Sequence, residues 1–443
     1  MRNFVATGEK PTDGSEVICN DCENGQKLYI SGGNKLNGEI ELQGAKNSVL
    51  PIIAATVLMK SQVVLKGCPK LSDSFGACRI LTHLGAKCAR EGDTIIIDAS
   101  GISVDEIPAS LMKKMRSSII FLGAVLGRLG TCRVSMPGGC EIGERPIDMH
   151  VHALEAMGVD IKTQNGIMVC DAPSGVTGAQ VTLYFPSVGA TENIILAAVL
   201  ADGTTEIKGA AKEPEIVDLA NFLIAAGAKI SGAGSDKIVI HGVQTLHEVE
   251  YRVMPDRIAA ATYLAAAAAT RGSIVLRNAS FGDLGLICDV FKQTGCKLYA
   301  YDNIVAINAE SKNLAAPDEI RTGPFPAFPT DAQPIMLAYS VTLPGTTVFY
   351  ETVFENRFMH VPELRKLGAD VKLFDNKTAV VTGKKRMSGA ALDSPDLRGG
   401  AALVIGALAA DGNSTVSNLQ HIDRGYENFA ENLRKLGGNV YRK

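Results

Sequence analysis

The 443-residue chain has no tryptophan and only 5% aromatic residues, so any stacking on a base or sugar falls to Phe, Tyr or Arg. It has no surplus of positive charge. Its 44 Lys and Arg face 47 Asp and Glu, a net charge of −3. That balance argues against a nucleic-acid binder but leaves room for a local basic pocket around a small anion. No stretch holds the roughly 18 uninterrupted apolar residues of a membrane span. The opening MRNFVATGEKPTDGSE is polar and lacks the apolar core of a signal peptide. The ten cysteines form no compact framework, which suits a reducing cytoplasm better than a secreted scaffold. Cys19 and Cys22 make a C-x-x-C pair in the polar segment 1–26. No further ligands at zinc spacing lie nearby, so this segment reads as a tail, and no metal or cofactor is expected.

What is present is a repeat. At this length two or three domains are expected. From residue 27 onward, a helix-like segment ending in Gly leads into strand, polar turn and strand. The pattern appears as THLGAKCAREGDTIIID, EAMGVDIKTQNGIMV, IAAGAKISGAGSDKIVI, KQTGCKLYAYDNIVAI, RKLGADVKLFDNKTAVV and RKLGGNVYRK. The glycines are Gly85, Gly158, Gly227, Gly295, Gly368 and Gly437, about 70 residues apart, which implies six structural units. In the same period come six Ala-rich apolar segments of about 15 residues, too short to span a bilayer. They are AKNSVLPIIAATVLMK, MRSSIIFLGAVLGRLG, SVGATENIILAAVLADG, PDRIAAATYLAAAAATRG, PTDAQPIMLAYSVTLPG and DLRGGAALVIGALAADG. Each is apolar on nearly every face, so each is expected to be a helix buried in a core. Each leads into a strand such as SQVVLKG or GSIVLRNA.

The first turns of these helices carry Lys46 and Asn47, Arg116, Ser187 and Thr191, Asp256 and Arg257, Thr330 and Asp331, and Asp396 and Arg398. A helix N-terminus offers free N–H groups and the positive end of the dipole. Six such ends facing one cleft would suit a phosphorylated ligand. Simple capping explains Ser187 or Thr330 equally well. It explains less well why Lys46, Arg116 and Arg398 stand at a positive helix end, where a cation needs an anion to offset it. Loops after the short strands supply Cys140, Arg145, Arg357 and Arg424, and an Arg fork fits phosphate or carboxylate. Cys140 lies in PGGCEIGERP, Pro137–Pro146, where Gly and Pro mark a loop and a nearby Arg favours thiolate.

Together these motifs make the chain resemble the UDP-N-acetylglucosamine 1-carboxyvinyltransferases, enolpyruvyl transferases that open peptidoglycan precursor synthesis. The matching pieces are GAKN at Gly44–Asn47, PGGCEIGERPIDMH at Pro137–His150, SVGATENI at Ser187–Ile194 and EPEIVD at Glu213–Asp218. FPTD at Phe328–Asp331, FENRFMHVPEL at Phe354–Leu364, DLR at Asp396–Arg398 and HIDRGY at His421–Tyr426 complete the set. The resemblance covers residue 27 to the C-terminus. It implies an α/β, two-domain inside-out barrel of six βαβαββ-type units, helices within and sheets outside. One domain would comprise 27–45 plus 256–443 and the other 46–255.

The implied reaction moves the enolpyruvyl group of phosphoenolpyruvate to the 3-hydroxyl of UDP-N-acetylglucosamine and releases phosphate. By the resemblance, Cys140 is the general acid and Asp331 the base, with Lys46 and Asp396 also in the catalytic group. Lys46, Arg116, Arg145 and Arg424 would grip phosphoenolpyruvate. Asn47, Asp396 and Arg398 would line the reacting centre, and Arg357 would hold the closed state. Pro146, Ile147, Asp148, Met149, Ser187, Val188, Gly189, Val353 and Phe354 would surround the UDP-sugar. The expected partners are these two small molecules, with no nucleic acid and no membrane, in the cytoplasm. Oligomeric state is left open. Two departures from the family pattern are Phe185, where some members carry Lys, and the acidic Glu144 beside Arg145. Two alternatives stand beside this reading. A 3-phosphoshikimate 1-carboxyvinyltransferase usually reads GSKS in place of GAKN and lacks the cysteine loop. A non-catalytic UDP-sugar-binding paralogue fits poorly with the full set of Cys140, Lys46, Asp331, Arg398 and Arg424.

Overall fold

The computed structural model describes residues 25–113, 115–135, 142–143 and 146–443. The Cys19/Cys22 pair lies outside the described residues. Two apolar cores organise the molecule. One is built from residues between Leu28 and Leu42 together with residues between Ile258 and Val440. The other is built from residues between Val49 and Val253.

The apolar segments are helices at the centre of these cores. In one lobe they are Lys46–Ala55, Phe121–Leu129 and Val188–Ala198, and in the other Arg257–Ala269, Gln333–Ser340 and Leu397–Ala409. In the second lobe the three pack on one another, and in the first Phe121–Leu129 packs on both of the others. All 13 residues of Arg257–Ala269 are buried. These helices are shorter than the apolar runs that encode them. In three of the runs part is used in 3-10 turns, Thr56–Leu58, Arg116–Ile120 and Thr330–Ala332. Close packing needs small residues at the crossings. A Cβ on Gly123 would lie 2.2 Å from the backbone oxygen of Asn193, so only glycine lets these two helices approach this far.

Among the described residues, six four-stranded sheets stand around the helices. In each, one strand is paired in parallel on one side and antiparallel on the other, as Thr204–Lys208 is with Gln180–Thr182 and Lys237–His241. Burial alternates along the strands, so one face covers the helices and the other meets solvent. All six repeated glycines have positive φ, between 84° and 112°, which reverses the chain from helix to strand at no Cβ cost. The two ends of the fold close together. Leu28–Ser31 runs between Asn413–Ser417 and Asn439–Arg442, with Leu28 opposite both Val416 and Arg442.

The chain passes between the lobes twice, side by side. Ala45 N–H donates to Met254 O at 2.7 Å, and Asp256 N–H to Gln43 O at 3.0 Å. These crossings deliver Lys46 and Arg257, the first residues of two buried helices, to the boundary between the lobes.

Candidate active site

Charged residues from both lobes meet at that boundary. Lys46 Nζ lies 3.1 Å from Asp73 Oδ2, and its backbone N–H donates to Asp256 Oδ2 at 3.1 Å. From the other lobe, Arg424 places Nε 3.1 Å from Asp73 Oδ1 and Nη2 3.3 Å from Oδ2. Burial by itself would raise the Asp73 carboxyl, but the Lys46 ammonium and the Arg424 guanidinium outweigh it and hold its pKa below the usual range.

A second knot forms on Asp331. Arg357 Nη2 donates to Oδ1 at 2.8 Å, and Arg398 donates to Oδ2 from Nε at 3.3 Å and Nη2 at 3.1 Å. Asn47, from the opposite lobe, reaches Oδ2 at 3.4 Å. Both arginine side chains are 2% exposed, while Asp331 keeps 28% of its side-chain surface. Against the upward push of burial, Arg398 and Arg357 drive the Asp331 carboxyl far below the usual carboxylate range. It is therefore ionised at neutral pH and a poor base while both guanidinium groups hold it. Arg398 is itself set by Asp396, whose Oδ1 accepts from Arg398 N and Gly399 N at 3.0 Å each as the cap of the Leu397–Ala409 helix. The Arg398 guanidinium also lies over the Tyr426 ring, 5.4 Å from its centroid.

The helix starts over the core built between Val49 and Val253 form a third group. Ser187 caps Val188–Ala198 by accepting from Ala190 N at 3.3 Å. Gly189 packs on His150, where an added Cβ would fall 3.3 Å from Cε1. Asn193 Oδ1 accepts from Gly123 N at 2.7 Å, which turns its Nδ2 toward Ile119 O and His150 Nδ1. His150 Nδ1 must then be unprotonated, and burial lowers this ring's pKa to about 4. Asp148 opens the Asp148–Ala156 helix and accepts from Tyr184 Oη at 2.6 Å. Ile147, Met149 and Val188 are partly buried against the core, and Pro146 is exposed. Across the boundary, Val353 N and Phe354 N both donate to Glu351 Oε1, at 2.9 and 3.1 Å. Thr330 Oγ1 donates to Glu351 Oε2 at 3.0 Å, which ties this turn to the Asp331 knot.

The structure thus brings together Lys46, Asn47, Asp331, Arg357, Arg398 and Arg424, with Asp396 as a buried cap. Asp148, Met149, Ser187, Val188 and Gly189 gather at two neighbouring helix starts. Cys140 and Arg145 lie outside the described residues, and of Arg116 only the backbone is described. Two of the cations at helix starts, Lys46 and Arg398, have anions to offset them, and these are the protein's own carboxylates: Asp73 for Lys46, Asp331 for Arg398. Asp73 was not singled out from sequence. Its only local signal is a place in the first turn of Ser72–Leu84, and its pairing with residues 27 before and 351 after it is tertiary. Glu215 was also missed. It holds Arg257 bidentately across the boundary, Nε–Oε1 at 2.9 Å and Nη2–Oε2 at 3.1 Å, both side chains 7% exposed or less.

Among the described residues, no cluster of His, Cys, Asp and Glu could hold a metal ion, and no helix is long and apolar enough to cross a membrane. The family model for EPSP synthase (3-phosphoshikimate 1-carboxyvinyltransferase) matches residues 30–433. The chain is 46% identical over 416 residues to UDP-N-acetylglucosamine 1-carboxyvinyltransferase 2 of Caldanaerobacter subterraneus subsp. tengcongensis, covering 94% of this chain and 99% of that one. It is 44% identical, with the same coverage, to UDP-N-acetylglucosamine 1-carboxyvinyltransferase of Shewanella amazonensis. Among solved structures, the enolpyruvyl transferase NikO from Streptomyces tendae is similar, with a TM-score of 0.85 and 26% identity over 94% of this chain and 99% of that one. EPSP synthase from Acinetobacter baumannii shares the fold, with a TM-score of 0.73, 18% identity and coverage of 94% and 100%. The chain therefore belongs to the UDP-N-acetylglucosamine 1-carboxyvinyltransferases, within the larger group described by the EPSP synthase model.

Proposed function

We propose that the protein transfers the enolpyruvyl group of phosphoenolpyruvate to the 3-hydroxyl of UDP-N-acetylglucosamine, releasing phosphate, in the cytoplasm and as the first committed step of peptidoglycan precursor synthesis. The observation that carries this reading is the meeting of cations from both lobes. Lys46 and Arg424 converge on Asp73, while Arg357 and Arg398 converge on Asp331 beside Asn47. Two anionic reactants repel each other, and fixed cations reduce that cost and stabilise charge as it develops. The lobes divide at 27–45 plus 256–443 and 46–255 in this reading, so the site assembles where they close.

In the first step the sugar oxygen bonds to C2 of phosphoenolpyruvate, the hydroxyl proton passes to Asp331, and the Cys140 thiol gives its proton to C3. In the second step C3 gives a proton back to the Cys140 thiolate, the bond from C2 to the phosphate oxygen breaks, and phosphate leaves with the proton held by Asp331. Lys46, Arg116, Arg145 and Arg424 bind the phosphate and carboxylate. Pro146 to Met149, Ser187 to Gly189, Val353 and Phe354 surround the UDP-sugar. Asp331 is too strongly held by Arg357 and Arg398 to be an effective base in the ligand-free arrangement. An anionic substrate that draws these guanidinium groups toward itself raises the Asp331 pKa at the moment a base is needed.

A phosphate-release assay with both substrates tests the reading, and turnover is expected. Thermal stabilisation by UDP-N-acetylglucosamine but not by shikimate 3-phosphate separates it from the shikimate reaction. Cys140→Ala is expected to abolish turnover, or strongly alter its pH dependence, without unfolding the protein. A variant with the wild-type rate across pH removes the acid role.

A further inference from the structure

Among the described residues seven cysteines are free thiols, and all but Cys88 are buried. Two pairs of them lie close together. Cys132 and Cys170 stand directly opposite each other on the strands Thr131–Ser135 and Ile167–Asp171, and both are 0% exposed. Cys78 and Cys88 meet by a different route. Cys78 lies on the helix Ser72–Leu84, and the left-handed cap at Gly85 turns the chain back into the strand Lys87–Glu91. That return sets Cys88 Sγ 3.9 Å from Cys78 O, with Cys78 itself 8% exposed. When Cys88 ionises it accepts a hydrogen bond from the Cys78 thiol. The strand Lys87–Glu91 is the edge of its four-stranded sheet and pairs only with Thr94–Asp98. It can therefore move toward the helix without breaking a second ladder.

We propose that Cys78 and Cys88 are a peroxide-reactive thiol pair, with Cys88 the attacking sulfur and Cys78 the resolving one, which closes reversibly into a disulfide in the folded protein. The thiolate is the form that attacks an oxidant. The Cys78 thiol, helped by the Thr82 hydroxyl, holds the Cys88 thiol below its ordinary pKa against the push of burial. Burial instead pushes Cys132 well up and Cys170 up to about 12, so that pair stays protonated as well as sealed from solvent. In the first step the Cys88 thiolate attacks one oxygen of hydrogen peroxide and the O–O bond breaks. The departing hydroxide takes up a proton to become water, and Cys88 is left as a sulfenic acid. In the second step Cys78 sulfur bonds to Cys88 sulfur, the S–O bond breaks, and the hydroxyl leaves as water with the Cys78 proton. The two sulfurs lose one electron each, and the peroxide gains both. In a reducing compartment such a disulfide is transient, because thiol exchange returns the pair to its free form. The site uses neither Cys140 nor the transfer reaction.

The test treats the native full-length protein with hydrogen peroxide, blocks the remaining thiols by alkylation, and reads a tryptic digest by mass spectrometry. Cleavage after Lys70, Arg79, Lys87 and Arg90 puts the two cysteines on separate peptides, 71–79 and 88–90. A linked peptide, lighter than the sum of the two by a pair of hydrogens, is expected, and dithiothreitol should abolish it. Cys132 and Cys170 should stay free under the same treatment. Cys78→Ser should leave Cys88 as a sulfenic acid that dimedone captures, and Cys88→Ser should leave Cys78 unoxidised. Absence of the linked peptide from the native wild-type protein overturns the proposal, and that measurement needs neither variant to fold. So does a link that forms only as Cys132 and Cys170 oxidise too, which marks unfolding instead of an accessible thiol.

Discussion

Two carboxylates govern the site at the level of single residues. Asp73 is 3% exposed and shared by Lys46 and Arg424. Asp73→Asn keeps the shape and removes the charge, which leaves two cations facing a neutral amide. Breaking a buried pair on one side costs about 3 kcal/mol, so the urea midpoint should fall with an unchanged m-value. Turnover should fall too, because Lys46 and Arg424 lose the group that positions them. A second residue-scale effect concerns pH. Burial pushes both His150 and His360 down to about 4. An unfolded histidine takes up its proton near 6.5, so between about 6.5 and 4 the unfolded chain holds more protons than the folded one. The stability from keeping these rings neutral is complete above 6.5 and is lost as pH falls toward 4, roughly 3 kcal/mol for each ring. Thermal midpoints measured from pH 7 to 4 should decline over that window. His150→Gln should remove about half of the slope.

Buried helices dominate at the level of elements. They carry no polar face, so each must be wrapped by sheet and by its two partners. Their crossings tolerate little extra volume. Gly123→Ala drives a methyl group into the Asn193 carbonyl and toward Asn193 Oδ1, 2.8 Å away, the same oxygen that accepts from Gly123 N. A loss of about 2 kcal/mol or more is expected in chemical denaturation. By contrast, Gly76 lies in the Ser72–Leu84 helix with no atom within 4 Å of an added Cβ. Gly76→Ala should be neutral or slightly stabilising by helix propensity, under about 1 kcal/mol. The repeated cap glycines were readable as a period because positive φ is a local demand, met in the same way six times.

For the whole molecule the question is how the two lobes are coupled. Arg257 and Glu215 join them through a buried bidentate pair, and Phe325 N–H adds a bond to Glu213 Oε1 at 3.3 Å. Burial raises the Glu213 carboxyl above its ordinary range, as it does Glu192. Glu215→Gln breaks the charge pair while leaving both apolar cores intact. We expect it to cost about 3 kcal/mol and to split or broaden the calorimetric transition, as lobes that unfolded together begin to unfold separately. A single sharp transition at the wild-type temperature would show that the coupling lies elsewhere.

The sequence by itself determined the six units, the buried helices, the strands that follow them and the family, because each of these is written in local period, composition or contiguous motif. Lys46, Asp331, Arg357, Arg398 and Arg424 were legible as candidates for the same reason: each lies in a short, specific string. Only the tertiary structure decided who neutralises whom. That Asp73 serves Lys46 and Arg424, that Asp331 is divided between two arginines, and that Glu215 reaches Arg257 are pairings between residues far apart in the chain. Coulombic attraction depends on separation in space, and no local pattern in a chain encodes it.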